Sequence, residues 1–145
     1  MASLILRQLH LRERVEDRFP SSSLDSETNQ PEVRQLGEDY PSLPDEYFSF
    51  QLTVGCGTMG KGQFQIYGSV QEPEEVFGWC PAMLPRTALL VGDDYAGTYV
   101  GYLNRAFIEY DSKRDSLRTI NEFGITEYME AWLDKRTAEE ENDDM

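Results

Sequence analysis

Leu89-Leu90-Val91-Gly92-Asp93-Asp94-Tyr95-Ala96-Gly97-Thr98-Tyr99-Val100-Gly101-Tyr102 reads as two neighbouring strands joined by a turn. Apolar and β-branched residues flank a Gly/Asp cluster, and such clusters break extended runs into paired segments. The strand bounds read from the pattern are Thr87–Val91 and Thr98–Leu103. Downstream, Phe107–Tyr110 and Leu117–Asn121 give two further strands, with Asp111-Ser112-Lys113-Arg114-Asp115 as the turn between them. Upstream, Gln63–Gly68 alternates Phe64 and Ile66 with polar neighbours, the period of a half-buried strand.

Helical patterns frame these strands. Ser42-Leu43-Pro44-Asp45 has the Ser-x-x-acid spacing of a capping box with Pro in the first turn, and Leu43, Tyr47, Phe50 and Val54 then form one apolar stripe, read as core. A short helix is expected from Glu32 to about Glu38, and a helical turn from Glu72 to Phe77 around Pro73. The closing helix takes Thr126 as its N-cap and places Ile125, Met129, Trp132 and Leu133 on one face. After Arg136 the pattern stops, and the run Glu139-Glu140-Glu141-Asn142-Asp143-Asp144 has nothing to bury, so an unstructured acidic tail is expected. Near the start, Leu4, Ile5, Leu9, Val15 and Phe19 have helical spacing until Pro20-Ser21-Ser22-Ser23 interrupts it. This segment can dock on the domain or cap a partner. The resulting organisation is an N-terminal helical appendage and linker over 1–31, one domain over 32–136 and a tail over 137–145.

A chain of 145 residues can bury a core without metal or disulfides. Cys56 and Cys80, with the single histidine His10, fall short of a four-ligand structural zinc set, so both read as reduced thiols of a cytoplasmic protein. No secretion or membrane-spanning pattern is visible. The formal net charge is −14: the first nineteen residues contribute +1, residues 139–145 contribute −5 and the body between them −10. Such a field opposes binding to nucleic acid and anionic membranes and speeds encounter with a basic partner, while also serving solubility.

Three motifs invite chemical readings. Gly55-Cys56-Gly57-Thr58-Met59-Gly60 fits G-x-G-x-x-G, but a helix precedes it and a strand follows, the reverse of a phosphate-binding turn, and Gly62 stands where a P-loop needs Ser or Thr. It is read as a helix-to-strand loop. Asp93-Asp94 can act as a carboxylate pair, as a turn former or as a partner contact. His10 has no Ser or Cys in an elbow motif beside it, and Trp79-Cys80-Pro81 reads as core and turn packing. No catalytic residue, cofactor or metal is assigned.

The order of Leu43-Pro44-Asp45-Glu46-Tyr47, a Gly-rich loop, the hairpin around Gly92-Asp93-Asp94-x-x-Gly97 and the helix Glu127-Tyr128-Met129-Glu130-Ala131-Trp132-Leu133 resembles the SUKH superfamily. The resemblance spans about Glu32 to Leu133. It departs at Val54-Gly55, where Asn-Gly is usual, and at Ile125-Thr126, where Ser-Phe often opens the last helix. The resemblance implies an α+β domain with a mainly antiparallel sheet flanked by helices and no catalytic residues. Members are commonly immunity proteins that bind and block a cognate bacterial toxin, often a nuclease or another cytosol-acting toxin; others are regulatory interaction modules. The expectation is therefore a toxin inhibitor that binds a basic surface stoichiometrically through Asp45, Glu46, Glu72, Glu74, Glu75, Asp93 and Asp94. The alternative is a regulatory scaffold of the same fold, paired with no toxin.

Overall fold

A computed structural model of the chain describes residues 2–20, 22–25, 30–60, 62–120 and 124–143. In chain order the elements are α1 (Ala2–Arg18), β1 (Ser23–Asp25), α2 (Gln30–Asp39), α3 (Asp45–Thr53), β2 (Cys56–Met59), β3 (Phe64–Gln71), α4 (Pro73–Phe77), β4 (Leu89–Asp93), β5 (Thr98–Leu103), β6 (Ala106–Asp111), β7 (Ser116–Ile120) and α5 (Ile125–Asp143). All seven strands form one sheet in the order β1-β2-β3-β4-β5-β6-β7, each antiparallel to the next. The architecture is a single α+β domain built on a meander.

Strand alternation sends side chains to two cores. On one face, Met59, Phe64, Ile66, Val91, Val100, Tyr102 and Phe107 pack with Leu11 and Val15 of α1, Leu36 of α2, Tyr47 and Phe50 of α3, and Ile125, Met129 and Leu133 of α5. On the other, Leu90, Ile108 and Tyr110 meet Leu84 and Ala88, with Val76 and Phe77 of α4 packed alongside. Each large apolar side chain fully withdrawn from water contributes roughly 1.5–3 kcal/mol, so the four-helix face supplies most of the stability.

The opening hairpin is held as its turn chemistry requires. Asp94 Oδ1 accepts the N–H groups of Ala96 at 2.8 Å and Thr98 at 3.0 Å, and β4 meets β5 with Leu89 opposite Tyr102 and Asp93 opposite Tyr99. The apolar stripe Leu43, Tyr47, Phe50 and Val54 is buried throughout.

Several elements differ from the sequence expectation. Cys56–Met59, expected as a loop, is a strand between β1 and β3. A Cβ on Gly57, whose φ is +133°, would lie 1.9 Å from the Ser23 carbonyl oxygen, so only glycine lets β1 approach. Ser42 does not cap α3. Pro44 is the N-cap with no side-chain bond, and Ser42 instead lies in the turn closed by the Leu43 N–H to the Tyr40 carbonyl at 3.1 Å. Thr126 is inside α5 rather than at its cap. The segment expected as appendage carries Leu11 and Val15 into the core and supplies β1, so α1 is part of the domain. Finally, α5 runs to Asp143, beyond the expected stop at Arg136, because Ala and Glu propagate an existing helix at little cost even with no apolar face to bury. Residues 144–145 of the expected tail lie outside the described residues.

Candidate partner-binding surface

The acids expected to meet a partner fall in three separate places. The first is the start of α4, where Pro73 occupies the first turn and the Glu72 N–H donates to Glu75 Oε1 at 3.0 Å. Glu72, Glu74 and Glu75 are exposed. Tyr40 lies just past α2, and its hydroxyl is pushed above the usual tyrosine range by burial first, then by the nearby charges of Glu72, Glu75 and Asp39. Asp39 accepts a hydrogen bond from Gln35 at 3.0 Å. Among the described residues, no cation forms an ion pair with Asp39, Glu72, Glu74 or Glu75. Just past α4, Gly78 turns the chain through a left-handed conformation, and Trp79 follows with 62% of its surface exposed. The expected packing role of Trp79 is thus corrected: the segment that fills the second core is Leu84 to Ala88, reached only after the chain has swung outward.

The second place is the start of α3. Asp45 is exposed, where a carboxylate favours the positive end of the helix. Glu46 turns inward and is no free contact residue: Oε1 accepts the Thr126 N–H at 2.8 Å, tying α3 to the first turn of α5. Gly124 N–H donates to Glu127 Oε2 at 2.9 Å, and Ile125 N–H donates to the Tyr102 hydroxyl at 3.2 Å. The buried Gln8 completes the joint, giving hydrogen bonds to Thr126 Oγ1 at 3.1 Å and receiving one from Ser49 at 2.5 Å. The orphan N–H groups of α5 are therefore capped by other elements rather than by Thr126. Burial raises the Glu46 carboxyl above the usual range, and the neighbouring Glu127 adds to the rise against the opposing Thr126 hydrogen bond. Glu127 is held low: burial opposes this, but hydrogen bonds from the Gly124 N–H, its own N–H and the Glu46 carboxyl, with the charge of Arg7, outweigh it. Arg7 also pairs with Glu130.

The third place is the hairpin turn. Asp93 is 7% exposed and accepts from the Tyr67 hydroxyl at 2.6 Å, Gln65 Nε2 at 2.9 Å and the Tyr95 N–H at 2.8 Å. Its carboxylate is consumed by the fold, which corrects its assignment as a contact. Burial, then the bond to Asp93, raises the Tyr67 hydroxyl far above its ordinary value. Asp94 is half-buried and binds its own turn.

A groove of about 460 Å³ runs between the sheet and α5, with Arg118 and Ile120 of β7 on one side and Trp132, Lys135 and Arg136 of α5 on the other. Glu109 at its floor is met by Arg118 at 2.9 Å and by the Tyr128 hydroxyl at 2.6 Å. Arg136 stacks on Trp132 at 5.2 Å and donates to Gln63 at 2.8 Å.

His10 is exposed on α1 near Glu13, at 3.8 Å. Cys56 and Cys80 are not disulfide-bonded among the described residues, and the Cys80 thiol donates to the Leu84 carbonyl at 3.4 Å. Among the described residues, no group of three or more His, Cys, Asp and Glu is placed to hold a metal, and no helix is long and apolar enough to cross a membrane. Asp39 and Tyr40 were not legible as neighbours of Glu72 and Glu75, since more than thirty residues separate Tyr40 from α4 in the chain. Comparison with protein-family models, curated proteins and solved structures finds no match to this chain.

Proposed function

We propose that this chain is a cytoplasmic immunity protein of the SUKH kind, which neutralises a cognate toxin by stoichiometric binding to the toxin's basic surface and performs no chemistry of its own. The observation that carries this reading is the set of carboxylates acting on Tyr40, Asp39, Glu72 and Glu75, with exposed Glu74 beside them on α4, none of the four paired with a cation among the described residues, and exposed Trp79 just past α4. Unpaired acids steer a basic partner inward, and an exposed Trp supplies the kind of aromatic anchor that dominates interface energetics. A nuclease presents such a basic surface in its nucleic-acid groove, and occupation of that groove excludes substrate.

The test is a viability assay in a bacterial host expressing the neighbouring open reading frame with and without this chain. Rescue from killing by the wild type, lost in the Glu72→Lys/Glu74→Lys/Glu75→Lys variant, is the expected result. A harmless neighbour, or killing that the wild type does not rescue, would favour the regulatory scaffold.

A further inference from the structure

Beside the second core, on the same face of the sheet, an open cavity of about 610 Å³ lies over β2 to β5. Its side chains come into line through the strand register. Gln65 stands opposite Asp93 and Asp93 opposite Tyr99, so the three form a row across neighbouring strands, and Tyr67, two residues on from Gln65, faces the same way. Gln71 at the end of β3 and Val76 of α4 close one side, and Gly57 and Gly68 leave the backbone bare on the other.

Asp93 is the one charged residue among those that line the cavity. It is almost withdrawn from water, its oxygens take neutral donors, and among the described residues no cation pairs with it. The negative charge is therefore held in place and left uncompensated. It reaches the cavity wall: the Tyr99 hydroxyl is pushed up by burial first, then by the charges of Asp93 and Asp94. Two polar groups remain available there. The Gln71 side-chain amide and the Tyr99 hydroxyl are on half-buried residues and make no hydrogen bond among the described residues.

We infer that this cavity receives an arginine side chain of the basic partner, whose guanidinium lies against the rings of Tyr67 and Tyr99 and donates to the Gln71 side-chain oxygen and the Tyr99 hydroxyl. Asp93 keeps its own hydrogen bonds and attracts the cation through space. A guanidinium is planar, weakly hydrated and stacks on aromatic rings, whereas the compact ammonium of lysine holds its water more tightly. The source of the arginine rests on the toxin reading. Gln71 directly precedes Glu72 and Val76 directly follows Glu75, so the cavity adjoins the α4 acids.

The test is an NMR titration of the full, isotope-labelled chain with the peptide acetyl-Gly-Arg-Gly-amide. Its controls are the citrulline peptide, which keeps the shape and loses the charge, and the lysine peptide, which keeps the charge and loses the plane. The expected result is saturable shifts of the Gly57 and Gly68 amides and of the Gln71 side-chain amide, with binding weakened about tenfold or more by citrulline and about threefold or more by lysine. Gln71→Lys, which sets a cation of the protein's own in the cavity, should abolish binding, and Gln71→Glu should tighten it. Asp45→Asn makes the same change in net charge at the far end of α3 from Cys56, and should leave binding within about twofold. In the viability assay Gln71→Lys should lose rescue. Absence of saturable shifts at tens of millimolar peptide, equal binding of either control peptide, equal weakening by Asp45→Asn, or undiminished rescue by Gln71→Lys would each overturn the inference. So would a dimer of the unliganded chain in sedimentation that the arginine peptide dissociates, since the arginine would then come from a second copy. The titration contains no toxin, so its failure removes the cavity alone, while a wild-type chain that fails to rescue overturns the toxin reading and with it the source of the arginine.

Discussion

Replacing Glu46 by Gln keeps an oxygen for the Thr126 N–H and removes a negative charge from beside Glu127. Because the folded-state Glu46 carboxyl titrates above its ordinary value, its stabilising contribution is complete below the usual glutamate range and is lost as pH rises through the raised value. Glu127, held low, behaves oppositely: its contribution is present above the usual range and is lost as pH falls through the lowered value. The Glu46→Gln protein should therefore gain stability relative to wild type as pH rises from the carboxylate range to neutrality, read as the difference in thermal midpoint across that window. Glu46→Ala, which leaves the Thr126 N–H buried without an acceptor, should instead cost about 1–3 kcal/mol at neutral pH in denaturant titration. Gly57 supplies a second case. Gly57→Ala should destabilise by about 2 kcal/mol or more, since the added methyl meets backbone rather than a movable side chain. The glycines of Gly55 to Gly60 were legible as special, and their reversed context ruled against phosphate binding; what they admit is strand β1, whose three residues carry no periodic signal of their own. At Asp94 the turn chemistry was fully legible. For Asp93 the burial was not, because Gln65 and Tyr67 come from a strand more than twenty residues away.

Helix α1 shows how an element is drawn into a domain by faces that lie far away in sequence. Its own periodicity was readable, but its docking depends on α3 and α5, which it contacts together. Leu11→Ala should cost about 2–5 kcal/mol in chemical denaturation, the range for emptying a closed core site. By contrast Arg14→Ala, which removes an exposed pair with Asp134, should change stability by at most about 1 kcal/mol. The strands from β3 to β7 and the stripe of α3 were legible because each element is long enough to repeat its pattern. The start of α5 was misread for a complementary reason: Thr126 has the chemistry of a cap, but Glu46 and Glu127 accept the nearby N–H groups first.

Across the whole molecule, charge was the clearest signal, yet its arrangement was not. Of the seven acids expected to contact a partner, Glu72, Glu74, Glu75 and Asp45 are exposed, while Glu46 and Asp93 are spent on internal hydrogen bonds. A basic partner steered by the α4 surface should associate more slowly as ionic strength rises, with dissociation changing less, in stopped-flow or surface-capture kinetics. Reversing Glu72, Glu74 and Glu75 should lower the association rate more than reversing Asp45. The joint made by Gln8 also sets an order of events during synthesis. It bonds Ser49 and Thr126 at once, so α1 acquires its second neighbour only after roughly a hundred further residues have been added. At translation speeds of about 5–20 residues per second that is a wait of about 5–20 s, in which Leu11 and Val15 have only part of their final cover. Nascent chains stalled before Gly124 should be cut readily within α1 by protease, and chains extended past α5 should resist. The domain becomes competent as a whole, once α5 has been made, rather than piece by piece.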